Sequence, residues 1–122
     1  MQELLQQSVP VGCIGAQTHI SEYPDIVALQ RRLDMLAETG LPIWITELDI
    51  AGLTNKELLA GALDDVMTLF YGHPAVEGVL LWGFHDEHMN QPGFALFQGE
   101  NYSVLQSIYF LAQSNWLETF VR

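Results

Sequence analysis

Glu47 and Asp49 stand two residues apart in the otherwise apolar stretch PIWITELDI at 42–50, where Trp44, Ile45, Leu48 and Ile50 mark a buried strand. In a strand, positions two apart point to the same face, so both carboxylates share one side. Unpaired buried charge is costly, so acids in such a place are paired, coordinated, or set where a ligand needs them. Gln17 and His19 repeat the spacing in VGCIGAQTHI at 11–20. Neighbouring strands lie ~4.8 Å apart, so the His19 imidazole can reach either acid. It would help keep Glu47 ionised and oriented, and an ionised carboxylate is a nucleophile or a base. Trp82, in VEGVLLWGF at 76–84, adds an aromatic platform of the kind that stacks on sugar rings.

These residues need elements to hold them. The apolar run at 11–20 reads as a first strand. PDIVALQRRLDMLAETG at 24–40 places Ile26, Leu29, Leu33 and Leu36 at helical spacing, with Gly40 as a natural stop. The strand at 42–50 follows, and then a helix over 54–74 that opens with Thr54 and Glu57 at capping-box spacing. Its apolar positions 58, 59, 62, 63, 66 and 70 line one face. A third strand over 76–84, a loop through HDEHMNQPG and a last helix within 101–120 complete the pattern. The N-terminal MQELLQQSVP reads as the tail of a helix. Alternating strands and helices imply an α/β fold with parallel strands and right-handed crossovers. Continuous apolar runs suit parallel strands buried on both faces. A small open α/β sheet and part of an eight-fold barrel both fit. In either, ligands gather at the C-terminal ends of the strands. Gln17 and His19, Glu47 and Asp49, and Trp82 all stand there.

Each feature has a plain structural reading. A histidine in a strand is commonly a satisfied core group, a tryptophan is commonly packing, and a carboxylate at a strand end commonly caps the next helix. Five such residues at the ends of three consecutive strands favour a functional site.

With 122 residues, 49% hydrophobic and 16% charged, the chain suits one modest globular domain. Fifteen acidic against four basic residues give a net charge of −11, which repels phosphate backbones and anionic membrane surfaces. Neither nucleic acid nor membrane is an expected partner. The single cysteine, Cys13, can form no internal disulfide and reads as an inert buried thiol. No apolar run approaches the ~18 residues of a membrane span, and the N-terminus has no signal-peptide pattern.

GAQTH, WITELDI and HPAVEGVLLWGFHD together resemble three consecutive motifs of glycoside hydrolase family 10, the endo-β-1,4-xylanases, and GFALFQGENYSV resembles the stretch that follows, particularly in animal members. The resemblance implies a TIM (β/α)8 barrel, of which residues 1–122 would supply strands 6–8 with their helices. A whole barrel typically needs ~250 residues, so the chain resembles the C-terminal part of a catalytic domain. The resemblance makes Glu47 the nucleophile, with His19 and Asp49 orienting and tuning it. It makes Gln17, Trp82, His85 and Met89 substrate-binding. No cofactor or metal is implied. The substrate is a β-1,4-linked polysaccharide such as xylan, and the setting is extracellular. Members cleave with retention, using two carboxyl groups ~5–5.5 Å apart. The protonating glutamate belongs to an Asn-Glu motif on the fourth strand, and these 122 residues contain none; Glu100 and Asn101 stand in reverse order. Negligible turnover is expected of this polypeptide by itself.

Animal members carry Trp, Trp and Arg where this chain has His85, Met89 and Asn90, whereas Asp86 and His88 keep their expected types. Met89 is the most consequential change, because that aromatic covers the sugar at the reacting centre. A degenerate, non-catalytic carbohydrate-binding homologue is the alternative. Metal chemistry through the HDEH run at 85–88 with His19 and Asp49 is a third reading, weaker than a solvated polar loop. NYS at 101–103 is a glycosylation acceptor pattern that matters in a secreted protein. A part-barrel exposes two parallel edges, so the expected partner is the N-terminal half of a barrel or a second copy.

Overall fold

The structure is a computed structural model that describes residues 2–83 together with 97–98 and 103–104. The elements run α1 (Gln2–Gln6), β1 (Ile14–Ala16), β2 (His19–Ile20), α2 (Ile26–Ala37), β3 (Ile43–Ile50), α3 (Lys56–Gly72), β4 (Val76–Leu81), β5 (Phe97–Gln98) and β6 (Ser103–Val104). The expected helix tail at the N-terminus is α1. The expected strand at 11–20 is instead two short pieces, because Thr18 takes a left-handed φ of +66° and interrupts the ladder.

β3 is the central strand. β1 and β2 lie end to end along one side of it, and β4 runs along the other, all parallel. Ile14 and Val76 both face Ile43, which fixes β1 and β4 on opposite sides. This is the parallel strand–helix–strand arrangement expected of alternating elements.

Asp25 caps α2 by accepting the Ala28 N–H at 3.0 Å, and Gly40 at φ +73° follows its end, as the glycine stop implies. The capping box at α3 needs correction. Asn55, one residue beyond Thr54, is the N-cap, and its Oδ1 accepts from the N–H groups of Glu57 and Leu58 at 2.8 and 3.2 Å. One short amide side chain satisfies two orphan donors there.

Both longer helices pack on one face of the sheet. Ile43, Ile45, Leu48 and Ile50 of β3 meet Leu33 of α2 and Leu59, Ala62, Leu63, Val66 and Phe70 of α3. Burying each large aliphatic or aromatic side chain contributes about 1.5–3 kcal/mol. Leu58, expected on the buried face of α3, is 51% exposed, because Ala60 takes that edge of the stripe. Burial on both faces also needs correction. The face away from the helices carries Trp44, Leu80 and Trp82, which are 39–48% exposed. No second layer of described residues covers it. On this face the Trp44 ring lies over Gly78, where any Cβ would overlap the indole.

Cys13 is exposed rather than buried, because it precedes β1 at the edge of the sheet. Within the expected last helix Ser103 and Val104 are instead a strand, since β6 pairs antiparallel with β5 through Phe97 with Val104 and Gln98 with Ser103; the rest of that stretch lies outside the described residues.

Candidate active site

The five residues expected at the strand ends divide into a bonded cluster and a flanking ring. β2 sets His19 opposite Asp49 in register, and His19 Nδ1 lies 2.9 Å from Asp49 Oδ1. Its other nitrogen, Nε2, lies 3.2 Å from Glu47 Oε2. Gln17 Nε2 donates to Glu47 Oε1 at 3.4 Å. Trp82 stands just after β4 and donates its backbone N–H to Leu48 O at 3.0 Å. Its indole meets the His19 ring edge-on, with centroids 5.9 Å apart and an interplanar angle of 83°.

Both ring nitrogens of His19 therefore face a carboxylate oxygen. A neutral imidazole has one N–H and would turn a lone pair on one of the acids, whereas an imidazolium donates to both. The hydrogen bond to Asp49 is the main cause that raises the His19 pKa above 6.5; the Asp49 charge and the Glu47 hydrogen bond and charge add to it, against a downward pull from lost hydration. The side chains of Glu47 and Asp49 are 24% and 20% exposed, so neither acid is sealed from a ligand.

Asp49 spends its closer oxygen on His19, while Glu47 has one oxygen on Gln17 and the other on His19. Glu47 is thus held at both oxygens yet remains partly exposed, and Trp82 stands against the His19 ring that bonds it. An oriented, ionised carboxylate beside an aromatic plane can attack an electrophilic carbon of a ring stacked there.

His85 and Met89, and with them Asp86, His88 and Asn90, lie outside the described residues, as do Glu100 and Asn101. A cavity of about 420 Å³ opens between α2 and the edge formed by β1 and β2, lined among others by Ala16, Ile20, Leu33 and Phe70. It includes His19 but neither carboxylate of the cluster. The cavity is mostly the uncovered flank of the apolar core; carboxylate chemistry, not concavity, locates the site.

The motif reading missed the break in alternation within β3. Ile43 and Ile45 are buried at odd positions, but Leu48 and Ile50 at even ones. That phase change is legible in IWITELDI and marks an irregular strand at the site itself.

Comparison with known proteins agrees with the motifs. The family model for glycosyl hydrolase family 10 matches residues 1–107. Endo-1,4-beta-xylanase 1 of Arabidopsis thaliana is 39% identical over 116 residues, covering 94% of this chain and 12% of the relative. Endo-1,4-beta-xylanase B of Thermotoga neapolitana is 32% identical over 117 residues, covering 84% of this chain and 34% of the relative. A protein named anti-sigma-I factor RsgI6, from Acetivibrio thermocellus, is 38% identical over 82 residues, covering 66% of this chain and 10% of that protein. Among solved structures, native xylanase 10B from Thermotoga maritima superposes with a TM-score of 0.82 at 27% identity, over 99% of this chain and 41% of that one. Xylanase 10B from Thermotoga petrophila RKU-1, in complex with xylobiose, gives 0.81 at 27% identity, over 99% and 40%. The chain spans well under half the length of each of these proteins. The described fold is part of a TIM barrel, with parallel strands and their helices. On the family match across most of its length, and on the barrel likeness, this chain belongs to glycosyl hydrolase family 10.

Proposed function

We propose that this chain supplies the nucleophile half of a retaining β-1,4-xylan-hydrolysing site. Glu47 is the nucleophile, His19 and Asp49 hold and tune it, and Gln17 and Trp82 contact the sugar, as His85 and Met89 would. The single observation that carries this reading is the His19 imidazole bridging Glu47 Oε2 and Asp49 Oδ1. The xylobiose bound to xylanase 10B of Thermotoga petrophila RKU-1, a structural relative, supports a xylan-type ligand.

In such a reaction a Glu47 oxygen forms a bond to the anomeric carbon as the bond to the leaving sugar oxygen breaks, and that oxygen takes a proton from a second carboxylic acid. Water then cleaves the glycosyl ester, and its proton returns to the second group. Asp49 cannot supply the first proton while it holds His19. The chain by itself is therefore expected to release no reducing sugar from xylan above background. A leaving group that departs as a stable anion removes the need for the acid. A 2-fluoro-xylobioside with a dinitrophenolate leaving group should label the 122-residue chain once, at Glu47, as read by peptide mass spectrometry, and should leave Glu47→Gln unlabelled. No adduct, or an adduct elsewhere, defeats the reading.

A second reading is a degenerate homologue that holds a glycan without cleaving it. It draws on Met89 in place of an aromatic residue and on a relative that bears a regulator's name. Xylo-oligosaccharide binding by titration calorimetry without labelling of Glu47 would establish it. An extracellular setting rests on the family likeness, and glycan attached at Asn101 of the natural protein would support it. The exposed Trp44, Leu80 and Trp82 face suits the remaining strands of a barrel better than a second copy, since each copy brings a charge of −11.

A further inference from the structure

The phase change within β3 is recorded by both of its neighbours. Between the pairs Ala16 with Ile45 and His19 with Asp49, three steps along β1 and β2 match four along β3. Between Ile45 with Val79 and Leu48 with Leu81, two steps along β4 match three along β3, offsetting the opposite shift between Ile43 with Val76 and Trp44 with Gly78. The extra residue therefore lies between Ile45 and Leu48, as a bulge at Thr46–Glu47. The neighbouring chain answers it in three places. Thr18 takes φ +66°, a conformation costly for a β-branched residue. Gln17 O accepts the Glu47 N–H at 3.1 Å. Gly15 leaves room for Thr46, whose Cγ2 would stand 3.2 Å from a Cβ there.

The core does not require this bulge. Without Thr46 the strand would read I-W-I-E-L-D-I, which alternates without interruption and keeps Glu47 and Asp49 away from the helices. The register would also run evenly past β1 and β2, while the shift against β4 between Ile43 and Trp44 would remain. A costly irregularity that sidedness does not need points to aim. We propose that the extra residue at Thr46–Glu47, accommodated by Gly15 and Thr18, turns the Glu47 carboxylate so that its two oxygens meet Gln17 and His19. Thr46, Gly15 and Thr18 are then positioning residues. This inference rests on the reading of Glu47 as the reacting carboxylate.

The test is made on the 122-residue chain by nuclear magnetic resonance, with no sugar present. Deletion of Thr46 should keep cooperative unfolding but abolish the cross-relaxation between the His19 ring and the Glu47 side chain. Gly15→Ala should weaken the same contact by crowding the Thr46 methyl, and adding Thr46→Ser, which removes that methyl, should restore it. The proposal is overturned if the deletion keeps the His19–Glu47 contact, or if the deleted chain does not fold, since sidedness would then need the bulge. It is equally overturned if Gly15→Ala with Thr46→Ser does not recover the contact. A chain that passes these tests but is not labelled at Glu47 leaves the positioning intact and defeats the catalytic reading instead.

Discussion

His19 and His73 stand at opposite ends of one parallel sheet, each beside a carboxylate, and they differ in almost every other respect. His73 caps α3 just before β4, with its side chain 5% exposed. Its Nδ1 accepts the Ala75 N–H at 3.2 Å, which requires the neutral ring, and Nε2 faces Asp34 Oδ1 at 3.3 Å. It ties the turn between α3 and β4 to α2. His19 is 43% exposed, has an acid at each nitrogen, and is stabilised as the cation. One histidine is a buried neutral strut and the other an open charged bridge. The contrast teaches that a histidine–carboxylate pair means little until both ring nitrogens are accounted for.

The largest expected effect would break this contrast at the level of stability. His73→Ala leaves the half-buried Ala75 N–H without its acceptor and a cavity in place of the buried ring, so urea denaturation should show a loss of about 1–3 kcal/mol. His19→Ala at its exposed position should change stability by no more than about 0.5 kcal/mol. Equal losses would erase the distinction. Next in size is the loss of a helix cap at the site end. Asn55→Ala should cost about 1 kcal/mol, while Thr54→Ala costs little, as read from thermal melts.

A sharper test follows the His19 proton. Its resonance should titrate above pH 6.5, and Asp49→Asn should lower the midpoint more than Glu47→Gln, because Asp49 is the principal cause. A raised folded-state pKa means that the His19 contribution to stability is fully present below the unfolded value. It fades as pH rises through the folded midpoint. The difference in urea midpoint between the wild-type chain and His19→Ala should shrink accordingly on going from about pH 5 to about pH 9. Solvent screening at this exposed side chain keeps the effect small. Smaller again is Tyr23→Phe, which removes the 2.7 Å bond to Asp65 between the loop before α2 and helix α3; a loss of about 0.5–1 kcal/mol is expected in the same denaturation series. The exposed Cys13→Ser should be silent.

The cluster was legible because strand periodicity and residue type agree. TELD places its two acids on one side, and β2 sets His19 opposite Asp49, although Thr18 breaks the strand between Gln17 and His19. The cap of α3 was misread because Thr54 and Asn55 are both good caps, and only the backbone path chooses between them. His85 and Met89 lie outside the described residues. Which acids share a face was thus set by the sequence, through the two-residue period of a strand and the apolar stripes that must meet the helices. Where along that face the Glu47 carboxylate ends up was decided by the tertiary structure. The phase change hints at an extra residue in β3, but its place is fixed only by counting against the neighbouring strands, and the space it needs comes from Gly15 and Thr18 on the neighbouring chain segment.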